Sequence, residues 1–281
     1  MLNEYVDKIY NEDCVEGMKK LPDECVDLVA TDCPYLLISG GCSNGEYRTS
    51  KGNRQMSGVM NRLRQRDYIP VEGNYHGHTM LAGTKHVNLG GVLDDQANDV
   101  RAGKMFSFNE VKFSEWLPEV YRVLKPDTHC YIMINSRNLK DLQIEAEKVG
   151  FKFQNLLVWR KNSATPNKFY MQQLEFILML RKGHERWVND MGMSNCLSVP
   201  NIIGTKCHPT EKPISLMRVL IEQSTKKGDI VLDPFMGSGA TALAAIQSER
   251  HYVGFEIDPK YYEVCQKRIH NTPVQKSLFD D

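Results

Sequence analysis

Short apolar runs alternate along this chain with stretches in which apolar residues recur at helical spacing. Lys8-Ile-Tyr-Asn11 predicts a brief strand, and Val26-Asp-Leu-Val-Ala-Thr31 a second that stops abruptly at Asp32-Cys-Pro-Tyr35. Between them Val15, Met18 and Leu21 give one apolar side to a helix that Asp13 is suited to cap. Phe113, Leu117, Val120, Tyr121 and Leu124 predict a helix ending at Lys125-Pro126. His129-Cys-Tyr-Ile-Met-Ile-Asn135 reads as a buried strand, and Leu139, Leu142, Ala146 and Val149 as a helix stopped by Gly150. Leu156–Trp159 and Phe176–Leu180 predict two more strands, followed by an irregular stretch over 182–208. A helix from Ile214 to Thr225 opens after Pro213. Then come a strand Asp229–Leu232, a turn from Pro234 to Gly239, a small-residue helix Ala240–Gln247, a strand Tyr252–Ile257 and a helix from Pro259 through Ile269. Strands alternating with helices predict an α/β fold with a mostly parallel, doubly wound sheet covered on both faces.

Residues 36–107 break this rhythm. They are rich in glycine, from Gly40-Gly41 to Gly90-Gly91, and show little periodicity, as expected of a long insertion that is functional or partly disordered. The expected organisation is therefore a catalytic domain made of 1–35 and 108–281, interrupted by an inserted loop, with 160–207 as a target-recognition region inside the domain.

The 281 residues are 41% hydrophobic and 25% charged, which excludes a disordered, collagenous or coiled-coil chain. Thirty-five Lys and Arg balance thirty-five Asp and Glu, so a nucleic-acid partner must be held by a local patch. No apolar run approaches the ~18–20 residues of a membrane span. The first residues lack a signal-peptide pattern, which leads us to expect a cytoplasmic protein. The eight cysteines form no C-x-x-C and read as reduced thiols. Cys207-His208 has no partner pair with zinc-like spacing, and no metal is expected.

Two turns carry the candidate chemistry. In Val231-Leu-Asp-Pro-Phe-Met-Gly-Ser-Gly-Ala-Thr241 an apolar strand runs into an acidic residue, a Gly-x-Gly turn and a helix start. Glycines there allow close approach of a ligand, and the helix start offers N–H groups. Glu256 follows Gly237 by nineteen residues, where a nucleoside-binding fold places its ribose acceptor. Asp233 would repel a pyrophosphate but suits a ligand with an ammonium or sulfonium group, and S-adenosylmethionine carries both. The second turn, Thr31-Asp-Cys-Pro-Tyr35, ends a buried strand, where open α/β sheets hold their chemistry. Asp32 and the carbonyl at position 33 or 34 could accept the two N–H bonds of an exocyclic amine, and Tyr35 could stack on an extruded base. A plain turn with a core tyrosine accounts for this segment equally well when it is taken alone.

Together these residues resemble a family. Asp32-Cys-Pro-Tyr35 resembles the D-P-P-Y motif of amino-methylating DNA methyltransferases, and Asp233-Pro-Phe-Met-Gly-Ser-Gly239 looks like their cofactor motif. His208-Pro-Thr-Glu-Lys-Pro213 looks like the segment before that motif in the permuted (beta) class, whose catalytic motif comes first, as here. The resemblance covers roughly residues 8–35 and 108–270. It implies a circularly permuted, Rossmann-like methyltransferase fold. In that reading Asp233, Phe235, Gly237, Ser238 and Gly239 line the methionine part of S-adenosylmethionine, and Glu256 holds its ribose. Thr210 and Lys212 sit near its carboxylate and Asp13 near its adenine, while Asp32, Pro34 and Tyr35 position the base. Cys33 replaces the first proline of the motif. A covalent role for it is not expected, because an exocyclic nitrogen needs no covalent intermediate and the usual Pro-Cys order is reversed.

The leading Asp favours adenine N6 over cytosine N4 in this family. The rival readings are a cytosine-N4 enzyme, a methyltransferase acting on RNA or a protein amide, and a non-catalytic DNA-binding module. From Tyr47 to Arg66 the chain carries Arg48, Lys51, Arg54, Arg62, Arg64 and Arg66 with no acidic residue, which suits a grip on DNA phosphates. Arg160-Lys161-Asn-Ser-Ala-Thr-Pro-Asn167 is a second acid-free stretch, in which Lys161 and Asn167 are candidate DNA contacts. Double-stranded DNA is thus the expected partner. A homodimer is admissible, the sequence does not specify a restriction-enzyme partner, and no separate nuclease motif is evident in it. Trp116 and Trp159 are expected in the core.

Overall fold

A computed structural model describes residues 2–34, 111–165, 170–202 and 211–272. The chain divides into two units, residues 1–39 with 108–281, and residues 40–107; every helix and strand named here belongs to the first. The basic stretch Arg48–Arg66, Tyr35, Asn167, Cys207, His208 and Thr210 lie outside the described residues.

In chain order the elements are β1 (Lys8–Tyr10), α1 (Cys14–Met18), β2 (Val26–Asp32), α2 (Phe113–Val123) and β3 (Leu124–Ile134). They continue with α3 (Leu139–Val149), β4 (Lys152–Thr165), β5 (Gln172–Lys182), β6 (Cys196–Ser198) and α4 (Ile214–Ser224). Last come β7 (Ile230–Asp233), α5 (Ala240–Gln247), β8 (His251–Phe255) and α6 (Pro259–His270). The strands form one sheet in the order β1-β8-β7-β2-β3-β5-β4-β6. Neighbours pair in parallel except on both sides of β5, which is antiparallel to β3 and to β4. The expectation of a mostly parallel α/β sheet holds. The antiparallel β4–β5 hairpin follows from its connection: too few residues separate Thr165 from Gln172 for the crossover that a parallel pair requires.

Successive side chains of the central strands point to opposite faces, and helices cover both. Val29 of β2 and Cys130, Ile132 and Ile134 of β3 pack with Trp116, Leu117 and Val120 of α2 and Leu142 and Ala146 of α3. Leu28, Ala30, Tyr131 and Met133 face the other way, onto Leu216, Leu220 and Ile221 of α4, Ala244 and Ala245 of α5 and Cys265 of α6. Trp116 and Trp159 are buried, as expected. Trp159 finds its hydrogen-bond partner in the Val199 carbonyl at 2.8 Å. Gly150 closes α3 with φ of 113°, a left-handed conformation that glycine adopts without a Cβ penalty.

Two details differ from the pattern-based reading. The helix predicted to stop at Lys125-Pro126 gives way to strand at Leu124, because the buried edge of β2 pairs Val26 with Leu124. The stretch read as irregular contains β6, whose three residues pair with β4 from Val158 to Arg160. So short a strand carries almost no periodicity of its own and exists because β4 offers an edge.

Candidate active site

β2 and β7 lie side by side in parallel, with Leu28 opposite Val231 and Val29 opposite Leu232. Their carboxyl ends therefore carry Asp32 and Asp233 to the same edge of the sheet, although 201 positions separate them in the chain. The Thr31 hydroxyl joins the two strands by donating to Asp233 Oδ1 at 2.6 Å.

The loop after β7 is built around Asp233. Its Oδ1 also accepts from the Phe235 N–H at 3.0 Å, a local Asx-type turn, and its Oδ2 accepts from the Thr241 hydroxyl at the start of α5. The carboxylate is 3% exposed, and burial raises its pKa to about 6 against the opposing pull of these three donors. Its oxygens are thus engaged within the protein. Asp233 thus shapes the loop and leaves a negative charge beneath it.

Gly237 has φ of 54°, and among the described residues a Cβ built on it would meet only the Phe235 carbonyl, at 4.0 Å, so these residues leave the backbone open to close approach. Gly239 also has a positive φ, of 88°, but a Cβ there would run into Cys265 Sγ. Its smallness serves the packing of the loop on α6. The Gly237 N–H donates to Glu256 Oε2 at 2.8 Å, and the Asp258 N–H to Oε1 at 2.9 Å. Each carboxylate oxygen has a second lone pair left for hydroxyl donors. Burial raises the Glu256 pKa, and the two N–H bonds oppose the rise. Phe235 is half-buried and stands edge-on to Trp116, with ring centroids 5.1 Å apart at 89°. Trp116 Nε1 is buried and has no partner among the described residues.

Ser238 is buried against α6, where Arg268 Nη1 donates to its hydroxyl oxygen at 2.9 Å and to its carbonyl at 2.7 Å. Arg268 also pairs with Glu211 at 2.7 Å. Asp13 caps α1, accepting from the Val15 and Glu16 N–H groups at 2.9 and 3.2 Å. Its segment is held at the end of β8: the Glu256 N–H donates to the Tyr10 carbonyl, and Asn11 Nδ2 to the carbonyls of Glu256 and Ile257.

At the neighbouring turn Asp32 is half-buried and Cys33 is in the core. The Cys33 thiol donates to the Met133 carbonyl, and burial drives its pKa well up, so it is a packing residue. The family resemblance places Lys212 near a cofactor carboxylate. In the structure its buried ammonium is in contact with Asp32 Oδ2 and 3.7 Å from Glu175 Oε2 on β5. Lys161, a candidate DNA contact, pairs with Glu175 Oε1 and lies 5.2 Å from the Trp159 ring centroid. Burial raises the Asp32 pKa, and Lys212 pulls it down. Sequence reading missed Glu175, Glu211, Thr241 and Arg268. Glu175 stands in an ordinary strand pattern and Arg268 on an ordinary helix, and only the folded sheet brings them here.

The chain matches the DNA methylase family over residues 26–196 and 189–267. It is 25% identical over 290 residues to the Type II methyltransferase M2.MboI of Moraxella bovis, covering 96% of this chain and 90% of that protein. Its fold is similar to that of M1.HpyAVI in its SAM complex, with a TM-score of 0.58 and 23% identity, covering 93% of this chain and 98% of the other. It is also similar in fold to the cytosine-N4-specific PvuII DNA methyltransferase, with a TM-score of 0.62 and 18% identity over 96% of this chain and 89% of the other. With Asp32, Asp233 and Glu256 on one sheet edge and the match spanning most of its length, the chain belongs to the N6/N4 DNA methylase family.

Proposed function

We propose that this protein transfers a methyl group from S-adenosylmethionine to the exocyclic N6 of adenine at specific sites in double-stranded DNA. The observation that carries the reading is the pairing of β2 with β7 and the Thr31–Asp233 hydrogen bond, which bring the amine-binding turn and the Gly-x-Gly loop together.

The residues around the Gly-x-Gly loop fit the cofactor. The open approach at Gly237, the spare lone pairs of Glu256 and the half-buried face of Phe235 offer a place for a nucleoside with a short polar tail. When bound, the cofactor supplies a sulfonium-activated methyl group. Glu256 holds the ribose hydroxyls, and the Asp13 segment, pinned to the end of β8, borders the adenine side. Asp32 and the backbone carbonyl at Cys33 or Pro34 accept the N–H bonds of the target amine, and Tyr35 stacks on the base. Withdrawing amine hydrogens toward oxygen acceptors opposes delocalisation of the nitrogen lone pair into the ring and aims it at the methyl group. The basic stretch Arg48–Arg66, with Asn167, holds DNA phosphates.

The acidic residue that leads the Asp32-Cys-Pro-Tyr35 turn supports adenine over cytosine. Among the described residues no helix is long and apolar enough to cross a membrane, and we assign the protein to the cytoplasm, where its DNA substrate resides. The test is transfer of labelled methyl from S-adenosylmethionine to DNA, RNA and protein, followed by nucleoside mass spectrometry and sequencing of modified bases. N6-methyladenine at a fixed sequence is expected. N4-methylcytosine, or label in RNA or protein alone, would overturn the assignment of the target. Cofactor binding without transfer to any of them would mark a non-catalytic DNA-binding protein.

A further inference from the structure

The Gly-x-Gly loop is gripped by α6 through two residues one helical turn apart. Cys265 places its Sγ where a Cβ on Gly239 would sit, and Arg268 reaches Ser238. Arg268 Nη1 donates to the Ser238 carbonyl at 2.7 Å and to its hydroxyl oxygen at 2.9 Å, while Nη2 pairs with Glu211 Oε1 at 2.7 Å. Ser238 and Glu211 are both buried. One guanidinium therefore joins α6 to the loop after β7 and to the segment that leads into α4.

Ser238 stands between Gly237 and Gly239, both at positive φ, so the backbone on either side of it has wide conformational freedom. The loop is tied upstream by the Met236 N–H, which donates to the Phe255 carbonyl at 2.8 Å, and by the Gly237 N–H on Glu256. Downstream, α5 begins by using the Gly239 carbonyl, which accepts from the Leu243 N–H at 3.0 Å. The Ser238 carbonyl, one residue ahead of that acceptor, takes the guanidinium instead. A planar fork with fixed donor directions sets the orientation of the Ser238–Gly239 peptide and of the Ser238 side chain together.

We propose that Arg268 is a positioning residue for the cofactor: by gripping Ser238 from α6 it holds the Gly-x-Gly loop in the shape that S-adenosylmethionine meets at Gly237 and Glu256. This rests on the reading of that loop as the cofactor site. Ser238 then acts through Arg268, since its hydroxyl is turned onto the guanidinium in the interior. Without the guanidinium a buried carbonyl and a buried hydroxyl lose this donor, and the loop relaxes about its two glycines. The loss falls first on cofactor affinity, because Gly237 shifts relative to Glu256. Asp32, carried by β2, is reached by neither of these contacts.

The experiment measures S-adenosylmethionine binding by calorimetry, and methylation kinetics with cofactor and DNA varied in turn, for the full-length wild type, Arg268→Met, Ser238→Ala and the double variant. Arg268→Met keeps an apolar stem and removes the donors. Its Kd and KM for S-adenosylmethionine should rise by about tenfold or more, with kcat and the KM for DNA changing by less than about threefold. Ser238→Ala should raise the cofactor Kd by about threefold in the wild-type background and by less than about 1.5-fold in Arg268→Met. Equal factors in the two backgrounds overturn the proposal, because a serine that meets the cofactor itself does not need Arg268. An unchanged cofactor Kd in Arg268→Met overturns it as well, as does a rise in the KM for DNA as large as that for the cofactor. If Arg268→Met fails to fold, Arg268→Lys takes its place. It keeps a charge beside Glu211 but lacks the fork, so a rise in cofactor Kd of about threefold is expected and an unchanged Kd overturns the proposal. A wild-type protein that neither binds S-adenosylmethionine nor transfers methyl overturns the functional reading itself, whereas an active wild type with an unmoved variant Kd overturns only the role of Arg268.

Discussion

The Thr31 hydroxyl donates a 2.6 Å hydrogen bond to the Asp233 carboxylate, and both residues are buried. This bond joins the end of β2 to the last residue of β7, where the Gly-x-Gly loop begins. Thr31→Val keeps the shape of the side chain and removes the donor. A hydrogen bond to a buried charge is worth about 1.5–3 kcal/mol, so a stability loss of that order is expected in urea unfolding. Weaker S-adenosylmethionine binding should accompany it, because Asp233, around which the loop is built, loses one of its three donors. Unchanged stability at neutral pH would show that the bond is not formed in solution.

Asp233 makes the protein's stability respond to pH in a definable direction. Its pKa is raised from 3.8 to about 6, so the folded state favours the protonated form. The stabilisation associated with that preference is complete below the unfolded value and is lost as pH rises through about 6. At roughly 1.4 kcal/mol per unit the loss is about 3 kcal/mol. Asp233→Asn removes the titration. Its amide oxygen can still accept from Thr31 and Phe235, and its amide nitrogen can donate to the Thr241 oxygen. The stability of wild type relative to this variant should therefore fall between about pH 4 and pH 7. A constant difference over that range would contradict the burial of an ionisable carboxylate here.

Gly239 tests how the loop is packed. With φ of 88° and Cys265 Sγ in the way of any Cβ, Gly239→Ala should destabilise the fold by about 2–4 kcal/mol, combining left-handed backbone strain with overpacking. In a Cys265→Ala background the packing part should be relieved and only about 1–2 kcal/mol remain. Thermal or chemical unfolding of the four proteins in the cycle measures the difference. An additive cycle would show that the two residues do not touch.

Asp32→Ala should abolish methylation while leaving S-adenosylmethionine binding within a few-fold of wild type, because the cofactor loop makes its own hydrogen bonds through Asp233 and Glu256. Calorimetry and a labelled-methyl assay on the same preparation check this. Loss of cofactor binding in a folded variant would show that the two turns do not divide the work as described.

Replacing Arg62, Arg64 and Arg66 with glutamine should weaken DNA binding and reduce its salt dependence, since fewer counterions are released per complex. Fluorescence anisotropy at low and high salt measures both quantities. Unchanged affinity at both would remove this stretch from the DNA interface.

Much of the fold was legible in the sequence because periodicity reports burial, and burial follows from an element's neighbours on average. The helix Ala240–Gln247 and its flanking strands appear where the pattern puts them, and Gly150 ends α3 because only a residue tolerant of positive φ suits that cap. The end of β2 at Asp32 and the Asp233–Gly239 turn were also legible, since turn residues and short-range spacing are local properties. What pattern could not supply was partnership across long separations. No pattern in the sequence joins Asp233 to Thr31 and Thr241, or Lys212 to Asp32 and Glu175. The chain itself therefore determined which residues end the strands and which chemistry they carry. Only the tertiary structure decided which charges meet, because strand order in a sheet is set by the burial of whole faces and not by any one residue's neighbours in sequence.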